Sequence, residues 1–450
     1  MSIATFLRQN DISIQIVPLA FHLGFNKNWS PDELRAVVLE QLKGRDPILV
    51  GVSNQFTGDF PVCLEILKTC KEYDGNFKTV IGGSHVSFLD AESLESPYVD
   101  IVVRGEGEWT MLDLVRTMED RGDLQNVKGI TFKLDNEVIR NPGRAPGDLS
   151  ELPPLDFSLL PSEFVRDIFI HGMLSRGCDF KCNFCGESAF WGGRRLVPVS
   201  HVAEEMEVLD RAYDNPMSAL DDSMEYIGSE RFRELCDEIK KRGIRLHKNF
   251  YIMSRVDSFS EDDLKNLDGT GIGYVQLGIE SASPKVLKMM NKKIDRQKII
   301  DSCTKLKRQG IKAHGLWMIG HPGDNPDEAQ YSLDTLEYLL KNDLMEKVDI
   351  SVFTPCPGTD FFNNPEKYGI EMLTRDWSSW IQPIFYITNL FGGGYQLVCQ
   401  LKDFSADEIM HFYKKAHMIV MRLKPEALRY THAEFNKSKR PSQLSSSGKS

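Results

Sequence analysis

The chain is predicted to be an α/β protein built from two successive strand–helix series, and three observations carry the prediction. Residues 1–145 alternate short apolar runs with helical periodicity, the pattern of a doubly wound, Rossmann-like parallel sheet. A stretch dense in Pro and Gly, Asn141-Pro142-Gly143-Arg144-Ala145-Pro146-Gly147 and then Leu152-Pro153-Pro154, breaks both periodicities and marks a linker over 146–165. Six further strand–helix units follow over 166–360, which suits a partial (β/α)6 barrel of TIM type with its reactive groups at the carboxyl ends of the strands. A small α-rich region over 361–435 and a Ser- and Lys-rich tail over 436–450, expected to be disordered, complete the reading.

In the first series, residues 12–18 read as a short strand. Ser30-Pro31-Asp32-Glu33 starts a helix, with Ser as cap, Pro at the first helical position and Glu three residues after the cap. Residues 47–53 (PILVGVS) form a near-continuous apolar run, as in a strand buried on both faces. A helical pattern covers about 60–73, and strands are expected at 77–81 and 99–103. The ligand crevice of such a sheet lies beyond the carboxyl ends of its strands. Those ends carry Ser53, Phe56 and Thr57, then Gly82-Gly83-Ser84-His85, then Arg104-Gly105-Glu106-Gly107. Glycines there either shape a turn or let a ligand approach the backbone. His85 taken alone is more often a hydrogen-bonded loop histidine than a metal ligand.

In the second series, strands are expected at 169–175, 217–220, 248–253, 273–279, 313–319 and 348–353, with helix starts such as Ser200 and Ser260 between them. The first strand runs into Cys178, Cys182 and Cys185, spaced C-x3-C-x2-C. Three thiols on one short loop suit an iron–sulfur cluster with one iron left open. A structural zinc site would need a fourth Cys or His, usually in a second pair. No other C-x-x-C occurs, and the nearest histidine is His171. The remaining cysteines, Cys63, Cys70, Cys236, Cys303, Cys356 and Cys399, are scattered without a disulfide framework.

Composition narrows the function classes. Hydrophobic residues at 41% and charged residues at 26% are those of an ordinary globular chain. A formal net charge of -11 argues against a nucleic-acid partner. No N-terminal basic segment leads into an apolar run, and no stretch reaches membrane-span length, so a cytoplasmic location is expected.

The cysteine loop closely resembles that of the radical S-adenosylmethionine (radical SAM) enzymes, and further segments match in order over about residues 40–360. The resemblance implies a [4Fe–4S] cluster on Cys178, Cys182 and Cys185, its open iron chelated by the amino and carboxylate groups of SAM. Phe184 matches the aromatic position near the adenine. Asp221 and Asp222 stand where the family often has Gly-Gly-Glu for the SAM amino group, as in the branch that includes the anaerobic magnesium-protoporphyrin ester cyclase. A carboxylate there accepts hydrogen bonds from an ammonium. Arg255 falls near the SAM carboxylate or ribose, Glu280 at the ribose position, and Ile319 in the adenine-flanking turn Met318-Ile319-Gly320-His321-Pro322-Gly323. Pro355-Cys356-Pro357-Gly358-Thr359 is common in this branch. Each of these alone reads equally as a solvated turn, a surface ion pair worth little or a helix-start carboxylate; their order and spacing carry the resemblance.

The segments GVSNQFTGDF, VIGGSHVSF and VVRGEGEWTMLDLV resemble the cobalamin-binding domain that precedes the radical SAM domain in a large class. This implies Ser53, Phe56, Thr57, Gly82, Gly83, His85, Arg104, Gly105 and Glu106 around a cobalamin. Two departures stand out. No Asp-x-His-x-x-Gly supplies a histidine to cobalt. In those relatives a first strand and loop precede the segment resembling MSIATFLRQND, so either the start is truncated or the sheet lacks an edge of its cobalamin site.

The implied activity is cleavage of SAM by the reduced cluster to methionine and a 5′-deoxyadenosyl radical, which abstracts hydrogen from a small-molecule substrate. The reductant would be an electron donor such as flavodoxin or ferredoxin. With cobalamin, the expected outcome is C-methylation. The alternative is a cyclisation, oxidation or dehydration with the cobalamin-type domain auxiliary or empty. A non-enzymatic iron–sulfur or corrinoid sensor would need an output module, for which two domains leave little chain. In the C-terminal region, Trp377, Trp380, Phe385, Tyr386 and Phe391 read as core or barrel-closing packing, with a substrate pocket as the alternative. Gly392-Gly393-Gly394 reads as a mobile loop, and Ser405-Ala406-Asp407-Glu408 opens a helix to about Leu423.

Overall fold

Two sheets, formed one after the other along the chain, organise the computed structural model, which describes residues 1–23, 29–73, 77–220, 227–380 and 397–428. The first sheet runs in the order β1 (Leu49–Ser53), β2 (Lys78–Gly82), β3 (Ile101–Val103), β4 (Ile130–Leu134) and β5 (Glu137–Arg140). β1, β2 and β3 are parallel, as the strand–helix alternation predicts, and β4 and β5 add an antiparallel hairpin at the β3 edge. The hairpin turn is Asp135-Asn136, both at positive φ, the two-residue geometry whose twist matches the strands.

Two expectations for this sheet are corrected. β1 is the edge strand, and its residues are half-buried or exposed rather than buried on both faces. An apolar run records composition, whereas full burial needs a neighbour on each side. Residues 12–18 form no strand. Ile12 and Ile14 pack instead with Phe6, Leu7 and Trp109, where the helix Ser2–Gln9 lies against the helix Gly107–Glu119.

Beyond the linker come β6 (His171–Gly172), β7 (Ser175–Arg176), β8 (Arg195–Leu196), β9 (Ala219–Leu220), β10 (Tyr251–Ser254), β11 (Tyr274–Glu280), β12 (Lys312–Ile319) and β13 (Lys347–Val352). β6, β9, β10, β11, β12 and β13 follow one another across one parallel, six-stranded sheet. This is the predicted partial barrel. One face carries Ile252, Val275, Leu277, Trp317, Val348 and Ile350, all buried in the main core beneath the helices. Alternate positions carry polar groups: Gln276 Nε2 lies 3.3 Å from His314 Nδ1, and His314 Nε2 lies 3.1 Å from Asp349 Oδ2. The first strand is shorter than predicted because the chain leaves the sheet after Gly172, and β7 then pairs antiparallel with β8.

Capping boxes start the helices after Ser30, Ser260 and Ser405. Ser200 does not start one: that helix, Val199–Tyr213, is preceded by Pro198 and has no side-chain cap. Among the described residues the C-terminal region is α-rich, with one short antiparallel pair of strands added. β14 (Ile370–Met372) and β15 (Cys399–Leu401) pair antiparallel before the helix Ala406–Leu423, which packs on the helix Pro326–Lys341 and on β13. Asp221, Asp222, Phe385, Tyr386, Phe391, Gly392–Gly394 and the tail 436–450 lie outside the described residues. Among the described residues none of the nine cysteines forms a disulfide. Among the described residues no helix is long and apolar enough to cross a membrane.

Candidate active site at the cysteine loop

The cysteine loop is held at both ends and along its rim. Gly177, at φ +82, starts it; a Cβ there would meet the Gly193 carbonyl oxygen at 2.6 Å, so only glycine lets the chain pass. The backbone N–H of Phe180 donates to Cys178 Sγ at 3.5 Å. Asn183 donates from its backbone to the Met290 carbonyl at 3.0 Å and from its side chain to the Met289 carbonyl at 2.9 Å. Asn291 returns a bond to the Lys181 carbonyl at 2.8 Å. Burial pushes all three thiols above their ordinary range, Cys185 to about 12. Thiols of this kind ionise when a bound cation takes over their charge. Among the described residues no three Cys, His, Asp or Glu side chains converge closely enough to hold one ion. A cluster would spread its protein ligands over several irons, so it does not require the three thiols to meet at one ion.

Strand ends of the barrel surround the loop. Arg255, at the end of β10, is buried; its guanidinium lies 3.9 Å from the Phe180 ring centroid and pairs with Asp257 at 2.9 and 3.2 Å. Glu280 ends β11 at φ +63, just past a register slip beginning at Gly278, and its Oε1 accepts from buried Lys292 at 2.9 Å. A bulky residue at positive φ is uncommon and clusters at functional sites. Lys292 Nζ in turn lies 5.8 Å from the Phe184 ring. Phe184 meets His321 edge-on at 5.3 Å, and His321 tilts against Phe353 at 4.7 Å. Ile319, two residues before His321, is buried.

His321 is the electrostatic oddity of the site. It is wholly buried, and neither ring nitrogen has a hydrogen-bond partner among the described residues. Burial, and then the Lys292 charge, hold its pKa well below the histidine range. A neutral imidazole left unpaired in a core costs about 1–3 kcal/mol, which a bound molecule would recover. Nearby Asp324 accepts from the Gly320 N–H at 3.0 Å, and burial raises it to about 7. Arg255 reaches the loop through Phe180, and Glu280 and Phe184 are linked through Lys292. Phe180, Lys292 and His321 join them unannounced, although a polar residue inside the apolar turn at 318–323 was the available signal for His321.

The N-terminal strand ends are built differently. A Cβ on Gly83, at φ +121, would lie 2.1 Å from the Asn54 carbonyl oxygen. The close backbone approach anticipated for a ligand is therefore made by the loop after β1. Ser84 Oγ adds a bond to the Gln55 carbonyl at 2.5 Å. His85 is 2% exposed, lies 3.3 Å from Thr57 Oγ1, and packs on the rings of Phe60 and Trp377 at 4.8 and 5.0 Å. Burial lowers its pKa to about 4. Trp377 donates to Glu92 at 2.8 Å, so this C-terminal aromatic closes on the first sheet rather than on the barrel.

Arg104 turns under the sheet, donating to the carbonyls of Ile130 at 3.2 Å and Asn141, 3.4 Å from Asp90. Glu106 receives Arg176 at 2.9 Å and Arg195 at 2.8 and 2.9 Å, while Glu108 receives Arg176 at 2.7 Å. These carboxylates join the two domains two residues ahead of Cys178. Ser53 and Phe56 are exposed, Gly82 lies against Val103, and Gly105, at φ +71, has open space where a Cβ would stand. The crevice mouth is therefore an apolar ring and bare backbone, which fits a broad corrin face. Among the described residues the histidine of these strand ends, His85, is turned inward onto Thr57.

The mouth and the cysteine loop share one seam. Phe88, on the helix after Gly83, meets Phe190, on the helix after Cys185, at 6.5 Å, and a Cβ on Gly358 would strike the Phe88 ring at 2.5 Å.

Comparison with known proteins assigns both halves. The radical SAM superfamily pattern matches residues 173–336, and the B12 binding domain pattern matches residues 1–115. The chain is 30% identical over 399 residues to an uncharacterised methyltransferase of Pyrococcus horikoshii, covering 86% of this chain and 81% of that one. It is 30% identical over 312 residues to the anaerobic magnesium-protoporphyrin IX monomethyl ester cyclase of Rubrivivax gelatinosus, covering 66% of this chain and 54% of the cyclase. Among solved structures, the radical SAM methyltransferase TsrM of Kitasatospora setae, with cobalamin and a [4Fe–4S] cluster bound, has the same fold at a TM-score of 0.71 and 18% identity, over 94% of this chain and 87% of that one. The cobalamin-dependent enzyme OxsB follows at 0.64 and 17%, over 98% and 60%. The two matched domains are those that take a [4Fe–4S] cluster with SAM and a cobalamin. They fall on the two sheets described above, and the chain belongs to the radical SAM superfamily, in the branch that joins a B12-binding domain to the radical SAM domain.

Proposed function

We propose that the chain is a cytoplasmic, cobalamin-dependent C-methyltransferase that works by radical SAM chemistry on a small molecule. The observation that carries this reading is the shared seam. Phe88 on Phe190 and Glu106 on Arg176 put the mouth of the B12-binding sheet directly beside the cysteine loop. When bound, the cluster and SAM supply a 5′-deoxyadenosyl radical and cobalamin supplies a methyl group, so adjacent sites suit one substrate carbon.

In this reading Cys178, Cys182 and Cys185 hold the cluster. Arg255, fixed by Asp257 and stacked on Phe180, offers a preorganised cation to the SAM carboxylate. Glu280 keeps one carboxylate oxygen beyond its bond to Lys292 for the ribose. Asp221 and Asp222 take the ammonium, and Phe184, Ile319 and His321 surround the adenine. Ser53, Phe56, Gly82 and Gly105 face the cobalamin, with Thr57, Gly83, His85, Arg104 and Glu106 shaping the crevice from behind. The buried polar row of Gln276, His314 and Asp349 gives the barrel side a means to orient a substrate with hydrogen-bonding groups. The second reading, a radical cyclisation without methyl transfer, is favoured by the likeness to the protoporphyrin ester cyclase.

The test is anaerobic reconstitution with iron, sulfide and hydroxocobalamin. Dithionite and SAM should then release 5′-deoxyadenosine, and the cobalamin spectrum should survive desalting. A desalted protein that keeps the brown cluster chromophore without the cobalamin bands refutes methyl transfer. An intact cluster that releases no 5′-deoxyadenosine refutes the enzyme. Alanine at any of the three loop cysteines should abolish both the brown chromophore and the cleavage.

A further inference from the structure

We propose that the outer rim of the cysteine loop is a docking face for an acidic one-electron carrier protein. The proposal rests on the radical SAM reading above and adds the surface through which the cluster is reduced.

The chain is acidic, at -11, yet one stretch inverts that balance. Residues 281–298, SASPKVLKMMNKKIDRQK, carry Lys285, Lys288, Lys292, Lys293, Arg296 and Lys298 against one carboxylate, Asp295. Asp295 is committed as a helix cap, accepting from the Lys298 N–H at 2.8 Å. Lys292 is buried on Glu280. Lys285, Lys288 and Lys293 are exposed, and among the described residues none of the three forms an ion pair. Lysines left unpaired on a surface are strongly hydrated point charges that attract a partner without fixing its geometry.

Their location gives the charge a purpose. The turn 289–291 is the joint that grips the cysteine loop, through Asn183 to Met290 and Met289 and through Asn291 to Lys181. Cys182 lies between the two gripped residues. Lys181 is itself exposed, so lysines flank the joint on both segments. Asp179 is the exposed carboxylate of the loop, and Glu187 follows on the helix beyond it. A carrier seated on the lysines would face the cluster across one layer of backbone. The exchange is one electron: the carrier is oxidised by one and the cluster reduced by one, with no atom transferred. Electrostatic steering suits such a brief complex, since it raises the encounter rate and is screened by salt.

The test uses the reconstituted holoprotein and a flavodoxin in its hydroquinone state. Bleaching of the cluster absorbance, followed anaerobically by stopped flow, reports electron transfer without turnover. The K285E/K288E/K293E variant should lose at least about tenfold in the bimolecular rate with flavodoxin, together with most of its salt dependence. Bleaching by dithionite, and SAM cleavage driven by it, should stay within about twofold of wild type. A matched reversal elsewhere, K43E/K402E/K414E, should leave the flavodoxin rate near wild type. An unchanged rate in the first variant, or an equal loss in the second, overturns the docking face. So does RNA retained by wild type and lost from the first variant while flavodoxin rates stay equal. Failure of wild type to cleave SAM with dithionite would instead strike the proposed activity, so the two ideas fail separately.

Discussion

The two sets of strand ends in this chain are finished in opposite ways. At the barrel, β10, β11 and β12 end in side chains aimed around the cysteine loop: Arg255 on Phe180, Glu280 on Lys292, and His321 with nothing on either nitrogen among the described residues. At the first sheet, the ends are tied to one another: Gly83 against Asn54, His85 on Thr57, Arg104 near Asp90, and Glu106 spent on Arg176 and Arg195. One end leaves polar capacity for a ligand with functional groups to match. The other satisfies its own polar groups and leaves a shaped mouth of ring and backbone. Recognition at the first should be lost by changing a side chain, and at the second by changing a backbone.

The largest effect is expected at the seam. Arg176 is buried between Glu106 and Glu108, and Arg176→Gln leaves buried Glu108 without its guanidinium partner and Glu106 with Arg195 alone. Removing one partner of a buried ion network costs about 3–5 kcal/mol. Urea unfolding should show that loss, together with faster proteolysis of the linker over 146–165. A loss below about 1 kcal/mol, the range of a surface pair, would mean that the domains are joined elsewhere.

Next come the two glycines at the crevice. Gly83→Ala forces a Cβ to 2.1 Å from the Asn54 oxygen at φ +121, whereas Gly105→Ala meets open space at φ +71. The first should cost about 3 kcal/mol or more, from clash and strain together. The second should cost roughly 1 kcal/mol for the left-handed backbone alone. Yet Gly105→Ala should be the more damaging of the two to cobalamin retention per unit of stability lost. Equal unfolding losses would remove the distinction between a closed and an open loop.

These contrasts show what was legible in sequence. The six barrel strands were, because buried parallel strands are apolar runs and the breaks between them are polar. The helix starts at Ser30, Ser260 and Ser405 were, because a capping box is local chemistry. The edge position of β1 was not: PILVGVS has the composition of a central strand, and only its neighbours decide its burial. Nor was the fate of Glu106, whose partners Arg176 and Arg195 lie 70 and 89 residues away. Motif matching placed it at a strand end, where a ligand-facing role and a role in joining domains look alike. The Asp135-Asn136 hairpin rests on two turn-forming residues, a local signal weaker than the strand–helix alternation around it.

A smaller effect separates the two ends by pH. His85 is buried among Thr57, Phe60 and Trp377, with a pKa near 4 against about 6.5 when unfolded. Between those values the unfolded chain takes up the proton and the folded one does not. Stability is therefore lost as pH falls from about 6.5 to about 4, by roughly 3 kcal/mol across the window. Glu205 and Asp324, both raised to about 7, act with the opposite sign and lose stability as pH rises. The readout is thus the difference between wild type and His85→Phe, which should shrink toward acid. A difference independent of pH would mean that His85 is protonated in place.

The smallest and most diagnostic change is His321→Phe. Phenylalanine keeps the contacts with Phe184 and Phe353 and removes two buried nitrogens that have no partner among the described residues. If the imidazole served the fold alone, the variant would be as stable or more so, since an unsatisfied polar group has gone, and SAM would bind as before. If it meets the bound nucleoside, the same variant gains or holds stability while the Kd for SAM rises about tenfold, near 1.4 kcal/mol. Iron content should stay at wild-type level, because the loop cysteines and their anchors at Asn183 and Asn291 are untouched. The two quantities move in opposite directions only when the missing partner is the ligand. Binding to the reconstituted protein, measured beside its urea midpoint, therefore decides between them, and an unchanged Kd would place His321 with the self-satisfied groups of the first sheet.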